Sequence, residues 1–439
     1  MDRNLDNELL KWKSRPIRFP LILRGARQVG KTYLIEHFGK THFTSFVSVN
    51  FEAQSEVIAC FESLNPEEII TRLQKILKVK IIPGETLLFL DEIQSCPKAL
   101  AALRYFKEKM ADLHLIAAGS LLEFALIEGK FSFPVGRVQF LYLHPLSFQE
   151  YLLARDQEPL RCTLKNPPKE EEHNALNRLV KEYLLVGGMP AAVSTFKSTL
   201  SLDDTAMIHE ILLSTYAADF SKYATPAGQK YLKILFGGVF PTIAKQFKYS
   251  KIDPDIRSRD LKEALNHLEW AGLFKPVQST SASGIPLSVQ VKNKRFKLLF
   301  LDIGLAQHAL KIDPEEVYKH EIIQINKGAM AEQFVGQELI AYERSEKLAS
   351  LFYWEKEGVG NSAEVDYVIT WKNIIIPVEV KGGPTGRLKS LHQFMKEKKS
   401  RLGICISEAP LSYDNDHKIL SLPFYLLSKL PDILEEILL

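Results

Sequence analysis

The segment Gly25-Ala26-Arg27-Gln28-Val29-Gly30-Lys31-Thr32 fits the pattern G-x-x-x-x-G-K-[ST] at every fixed position. That spacing is a phosphate cradle. Glycines let the backbone turn so that successive N–H groups converge on phosphate oxygens, and a helix starting there adds the positive end of its dipole. Gly25, Ala26, Arg27, Gln28, Val29 and Gly30 are expected to wrap the phosphates. Lys31 would reach the β- and γ-phosphates, and the Thr32 hydroxyl would ligate Mg2+. Downstream, Thr86-Leu87-Leu88-Phe89-Leu90-Asp91-Glu92 is an apolar run ending in two acids. Asp91 would hold Mg2+ from a strand end opposite the loop, and Glu92 would polarise the attacking water. Loop and acids together predict an ATP-hydrolysing enzyme with ATP and Mg2+ as its cofactors.

Two further residues bear on the same site. Leu115-Ile116-Ala117-Ala118-Gly119-Ser120 ends an apolar stretch in a small polar residue, which places Ser120 to sense the γ-phosphate. Arg137 follows Gly136 just before another apolar run. It would complete a neighbouring subunit's site, sense nucleotide in its own, or stand as a surface cation. The first of these requires a homo-oligomer.

Residues 228–297 carry thirteen Lys and Arg against five Asp and Glu, a net +8 in a chain whose total is +3. Charge concentrated in so short a segment is the footprint of phosphate-backbone binding, so DNA is a candidate partner. Arg257, Arg259 and Lys262 open a helical stretch in which groove contacts would be made. Lys292, Lys294, Arg295 and Lys297 would lie at or just after a β-wing. The alternative is a protein–protein spacer.

The elements that must position these groups follow from periodicity. Short apolar runs at Pro20–Leu23, Thr44–Asn50, Thr86–Leu90, Leu113–Ala117 and Gln139–Leu143 alternate with helical patterns at Tyr33–Phe38, Glu67–Leu77 and Ala99–Met110. Such alternation predicts an α/β three-layer parallel sheet over residues 1–155. Residues 156–226 read as a helical lid, with helices at Leu176–Leu185 and Thr205–Tyr216 after a polar insertion at 159–173 that reads as a mobile loop. Residues 227–300 read as a winged helix-turn-helix, with helices at Gln229–Phe236, Thr242–Phe247 and Ser258–Ala271 and a hairpin of Leu273–Gln278 with Leu287–Lys292. Residues 301–439 start with a helix at Ala329–Tyr342, followed by strands at Leu351–Trp354, Glu364–Trp371, Ile374–Lys381 and Leu402–Ile406.

At 439 residues, with 46% hydrophobic and 25% charged residues, the chain has the composition of a soluble globular protein. Cys60, Cys96, Cys162 and Cys405 lie far apart, which argues against a zinc site or a disulfide framework. The acids in Met1-Asp2-Arg3-Asn4-Leu5-Asp6 do not suit a signal peptide, and no apolar run is long enough to span a bilayer. The expectation is a cytoplasmic protein with no membrane partner.

Three motifs together carry a resemblance: residues 21–32 around the glycine-rich loop, Leu90-Asp91-Glu92-Ile93-Gln94, and Leu143-His144-Pro145-Leu146-Ser147-Phe148-Gln149-Glu150-Tyr151. The chain resembles a family of prokaryotic AAA-type ATPases whose C-terminal region is similar to a restriction-endonuclease-like fold. Phe300-Leu301-Asp302-Ile303-Gly304-Leu305 and Pro377-Val378-Glu379-Val380-Lys381 extend the resemblance over nearly the whole chain. It implies an AAA-type core, a small lid, a winged helix and a nuclease-like tail.

In that tail, metal-dependent cleavage needs carboxylates converging on Mg2+ and a lysine beside them. Asp366 lies on one expected strand, and alternation puts Glu379 and Lys381 on one face of the next. Glu332 on the preceding helix supplies a third acid, and Gln393 is a supporting candidate. The bare [DE]-x-K pattern recurs at Glu128–Lys130, Asp260–Lys262, Glu397–Lys399 and Asp416–Lys418. Only the pair Glu379–Lys381 has an apolar strand before it and an acid on a neighbouring strand. The alternative is a retained fold in which Lys381 neutralises Asp366 and Glu379. Two further readings of the whole chain stand beside an ATPase acting on DNA: a nucleotide-controlled protein-binding switch with a silent tail, and an ATP-gated transcription regulator.

Overall fold

The computed structural model describes residues 1–439 apart from 121, 123, 125–135, 165–167, 344, 357–362, 382–387 and 439. Glu128–Lys130 lies outside the described residues.

Five strands form the first sheet: β1 (Leu21–Arg24), β2 (Ser45–Asn50), β3 (Thr86–Asp91), β4 (His114–Ala118) and β5 (Gln139–Tyr142). Their order is β2-β3-β4-β1-β5 and every pairing is parallel. Alternation along the strands explains why both faces are covered. Leu21, Leu23, Leu87, Phe89 and Ile116 enter one core, while Ile22, Leu88, Leu90, Leu115 and Ala117 enter the other. Helices Lys31–His42, Pro66–Leu77 and Pro97–Lys109 connect the strands. The expected α/β sheet is present, each strand within a residue or so of its expected bounds.

A helix at Leu5–Ser14, absent from the sequence reading, packs Leu5, Leu9 and Trp12 on the first of these cores. The insertion read as a loop at 159–173 is largely helical, with Glu158–Thr163 and the start of Glu170–Val186. Residues 165–167 lie outside the described residues. Three glutamates in the first turn of the longer helix suit the positive end of its dipole. Helices Pro190–Thr199 and Leu202–Tyr223 complete this region.

The basic segment differs from expectation in two places. Helices Pro226–Val239 and Ser258–Trp270 form, but no helix covers Thr242–Phe247. Its backbone pairs sideways instead: Ala244 N donates to Leu298 O and Phe247 N to Phe296 O, with Gln246 bridging Lys297. Pro241 and the left-handed Ala244 (φ 60°) suit that path better than a continuing helix. The hairpin joins β6 (Phe274–Thr280) to β7 (Val291–Phe300), not to Leu287–Lys292, which is mostly a short 3-10 turn. The cations expected at or beyond the wing therefore lie inside a strand.

β6 also pairs in parallel with β8 (Leu351–Glu355), which pairs with β9 (Glu364–Val365), giving a sheet ordered β7-β6-β8-β9. This sheet runs across the boundary drawn at 300. A third sheet, ordered β10-β11-β12-β14-β13, contains β10 (Tyr367–Trp371), β11 (Ile374–Val380), β12 (Gly403–Ser407), β13 (Ser412–Asp414) and β14 (Ile419–Pro423). Asp366 stands between β9 and β10, where the chain leaves one sheet and enters the other.

Helix Ala329–Tyr342 ties the tail to the rest. Gln337 Oε1 accepts from Ile303 N (2.8 Å) and its amide donates to Tyr183 Oη (2.9 Å). Glu338, 1% exposed, accepts from Phe148 N at the start of helix Phe148–Ala154 (3.0 Å). Asp302, fully buried, accepts from Gly188 N (2.6 Å) and Leu305 N (3.1 Å). Burial pushes the Asp302 carboxyl up to about 6 and that of Glu338 up to about 8, against the hydrogen bonds that favour their charged forms.

Candidate nucleotide site and carboxylate cluster

The glycine-rich loop leaves the C-terminal end of β1 and turns into helix Lys31–His42 through Gly30, whose φ of 95° favours glycine. Gly25 is required for a different reason: a Cβ there would run into the Leu143 carbonyl oxygen. The Lys31 ammonium donates to the carbonyls of Gly25 (2.9 Å) and Ala26 (2.8 Å), so it lies across the mouth of the loop. Burial lowers its pKa to about 8, while Glu92 and Asp91 oppose the shift. Thr32 Oγ1 donates to Asp91 Oδ2 (3.0 Å), and Asn50 Nδ2 donates to the same oxygen (3.3 Å). Two cis ligands of an octahedral Mg2+ at ~2.0–2.1 Å stand about 2.9 Å apart, so Thr32 and Asp91 are spaced to share one ion.

Glu92 turns out of β3 in a left-handed conformation (φ 50°). Its Oε2 accepts from Gln94 Nε2 (2.7 Å), Ser120 N (3.1 Å) and Ser120 Oγ (3.0 Å). Burial raises its pKa, but these hydrogen bonds outweigh burial and hold the carboxyl below its usual value. Ser120 thus stands beside Glu92. Arg27 continues the chain of contacts: its Nε donates to Ser120 Oγ (3.1 Å), and its Nη1 bonds both oxygens of Asp219 (2.7 and 2.6 Å) on helix Leu202–Tyr223. Tyr216, one turn earlier, donates to the Arg27 carbonyl (3.0 Å).

The sequence reading missed Asp219, Tyr216, Gln94 and Arg3. Arg3 is 7% exposed; it donates to Val29 O (3.1 Å), His144 O (2.5 Å) and Glu150 Oε1 (3.1 Å). Only Gln94 and Glu150 lay inside quoted motifs. The others are brought in by tertiary contact.

Arg137 stands apart from its own loop. β1 and β5 pair Arg24 with Tyr142, so Arg137 lies five residues back along the parallel edge, on the order of 15 Å away. There its Nε pairs with Glu108 (3.1 Å). A cavity of about 390 Å3 adjoins the loop, lined among others by Ala26, Ser120, Trp270, Gly272 and Gln337. The basic segment therefore packs directly against the nucleotide loop.

In the tail, Glu332, Asp366, Glu379 and Lys381 do come together, joined by Glu364 and Lys297. Asp366 Oδ2 accepts from Val380 N (2.8 Å), and Lys381 Nζ pairs with Glu379 Oε1 (2.8 Å). Glu379, 4% exposed, is pushed up by burial and by Asp366; its Oε2 has no hydrogen-bond partner. Glu332 is likewise pushed up by burial and by Asp366. Lys297, expected at the wing, is 3% exposed and bonds Glu332 Oε2 (2.8 Å) and Glu364 Oε1 (2.6 Å). Gln393 instead donates to Glu397 one turn on. Among the described residues, no three His, Cys, Asp or Glu are grouped to hold a metal ion. Arg295, by contrast with Lys297, is exposed and pairs with Glu355 (3.1 Å). Lys230, Lys233, Lys245, Lys248, Lys251, Arg257, Arg259 and Lys262 remain exposed. No helix among the described residues is long and apolar enough to cross a membrane.

Residues 18–152 match the family model AAA_14, described as an AAA domain. Residues 177–316 and 327–425 match two domains of unknown function, DUF8612 and DUF4143. No curated protein matches the chain. Similar solved structures include the Thermotoga maritima RuvB Holliday junction branch migration motor, at 16% identity and TM-score 0.28, covering 62% of this chain and 88% of that one. An S. cerevisiae Hsp104–ADP complex gives 13% identity and TM-score 0.27, covering 62% and 39% respectively. The Aeropyrum pernix ORC2 protein in its ADP form gives 14% and 0.26, covering 72% and 90%. At such TM-scores these likenesses carry no argument about activity or partners. The loop, the five-stranded parallel sheet and the family match agree on one point: residues 18–152 form an AAA-type ATPase domain.

Proposed function

We propose that the protein is a Mg2+-dependent ATPase that acts on or near DNA. The observation that carries the reading is the set Lys31, Thr32, Asp91 and Glu92 at one loop mouth, with Thr32 and Asp91 oxygens 3.0 Å apart. Lys31 neutralises phosphate charge once it leaves the loop carbonyls. Thr32 and Asp91 would hold the ion, which supplies charge neutralisation on the phosphates. Glu92, kept ionised by Gln94 and Ser120, is available to orient and polarise water. Arg27 links this corner to Asp219 on helix Leu202–Tyr223. Arg137, paired with Glu108, would act on nucleotide only in a neighbouring copy, which would make the protein a homo-oligomer, or it stands as a surface cation.

Eight exposed cations between Lys230 and Lys262 support nucleic-acid contact by the basic segment. The helices Pro226–Val239 and Ser258–Trp270 followed by the β6–β7 hairpin support a winged-helix reading, with the short turn at Tyr249–Lys251 in place of a middle helix. The approach of Glu332, Asp366, Glu379 and Lys381 supports a nuclease-like tail.

The test is ATP turnover with and without duplex DNA, alongside Mg2+- or Mn2+-dependent cleavage. Wild type, Lys31→Ala, Asp366→Ala and an Arg257/Arg259/Lys262→Ala triple variant would be compared. Lys31→Ala is expected to abolish turnover, and the triple variant to lose DNA stimulation while keeping basal turnover. Turnover by Lys31→Ala at the wild-type rate sinks the ATPase reading. Cleavage that survives in Asp366→Ala removes the tail from any nuclease role.

A further inference from the structure

The fold read for the tail implies a divalent cation among its carboxylates, yet another cation already stands there. Lys297 comes from β7, outside the sheet that carries β10 and β11, and its ammonium is 3% exposed. It lies 2.8 Å from Glu332 Oε2, 2.6 Å from Glu364 Oε1 and 3.9 Å from Asp366 Oδ1. These acids come from three places: helix Ala329–Tyr342, β9, and the crossing between β9 and β10. The Tyr353 ring closes another side, its centroid 5.3 Å from the ammonium. The lysine's backbone is fixed by pairing with Val277 of β6 and with Gln246. On the far side of the cluster Lys381 engages one oxygen of Glu379, while the buried Oε2 is left without a partner.

We infer that Lys297 is the resident cation of the tail's carboxylate cluster, standing where a divalent ion would otherwise bind, so that this conformation excludes such an ion. The inference rests on the nuclease-like reading of the tail and is independent of the ATPase reading. Two cations sharing Glu332 and Asp366 at these distances would repel each other beside a lysine that is itself 3% exposed. A small ammonium satisfies Glu332 and Glu364 by hydrogen bonds that a metal would have to break. The orphan oxygen of Glu379 shows that the arrangement is not fully saturated. A metal that shares Glu332 and Asp366 could enter only after Lys297 withdraws. Because Lys297 sits on the hairpin of the basic segment, any movement of β7 moves the cation with it.

The experiment is Mn2+ binding to the full-length, nucleotide-free chain, followed by electron paramagnetic resonance. Wild type, Asp366→Asn, Lys297→Met and Lys297→Met/Asp366→Asn would be compared, with cleavage of nucleic acid measured in parallel. Wild type and Asp366→Asn are expected to bind Mn2+ alike. Lys297→Met should gain one further ion, bound at least tenfold more tightly than any ion in the wild-type tail, and the double variant should lose it. If leaving Glu332 without its partner prevents folding, Lys297→Met/Glu332→Gln removes that ion pair as a unit and should gain an ion that depends on Asp366. A wild-type Mn2+ site abolished by Asp366→Asn overturns the inference, because metal and lysine then coexist. So does a folded Lys297→Met protein with no additional ion. Gain of Mn2+ without cleavage would uphold Lys297 as the resident cation and refute the nuclease reading. Asp366-dependent Mn2+ binding with cleavage in the wild type would do the reverse.

Discussion

Removing Asp219 should loosen helix Leu202–Tyr223 from the glycine-rich loop by a measurable amount. The Arg27 guanidinium makes two short bonds to Asp219, and the side chains are 18% and 7% exposed. Breaking a fully buried pair costs about 3–5 kcal/mol, most of it from the charge left behind. Here Arg27 keeps some water contact and its bond to Ser120, which reduces the cost to about 2–3 kcal/mol. Lys222 also approaches Asp219 (3.3 Å), but it is half exposed and adds little. Helix Leu202–Tyr223 should therefore open locally about 30- to 150-fold more often in Asp219→Ala. Hydrogen exchange of the amides around Tyr216 to Lys222 reads this directly, without requiring two-state unfolding of the whole chain. Arg27→Ala should produce a similar increase, and the double variant no more than the larger single effect, since one interaction is being removed twice. Unchanged protection in Asp219→Ala, or additive single effects, would refute the claim that this pair holds helix Leu202–Tyr223 to the loop.

Other outcomes follow from the same geometry. Glu92→Gln should lower ATP turnover by roughly 10²–10⁴-fold while leaving nucleotide affinity near wild type, because the side chain acts on water and not on the phosphates; equal turnover would exclude it as the base. Gly25→Ala should abolish nucleotide binding, since its Cβ collides with the Leu143 carbonyl; retained affinity in a fluorescent-nucleotide titration would contradict this. Asp302 and Glu338 should each make stability fall as pH rises, since they hold their protons in the fold to about 6 and about 8. Through these two carboxyls the folded state binds more protons than the unfolded one between about pH 4 and pH 8, and the stability they contribute is lost across that window. Glu338→Gln should flatten the alkaline part of that profile in denaturant titrations; an unchanged slope would rule out Glu338 as its source.

Local pattern made much of the architecture legible. The strands of the first sheet alternate between two cores, so their apolar periods could be read directly. Gly25, Gly30, Lys31 and Thr32 sit within one turn of chain, and Asp91 ends a wholly buried strand. Helix Ala329–Tyr342 was equally plain. Thr242–Phe247 was misread because its apolar spacing suits a helix, whereas its hydrogen bonds go to β7. The two halves of the wing were likewise misjudged, because hairpin register depends on which partner strand is available.

What the sequence determined alone is the chemistry available at each end of the chain: a phosphate-binding loop with its two acids, and a set of carboxylates with a lysine. Those depend on residue type and short spacing. Tertiary structure alone decided which groups act together. It brought Asp219 to Arg27 across 192 positions and set Ser120 against Glu92. It also turned Lys297 from an apparent surface cation into the ammonium bridging Glu332 and Glu364. Charge pairing at close range depends on distance in space, and no local pattern encodes the distance between a hairpin strand and a helix that follows it by more than thirty residues.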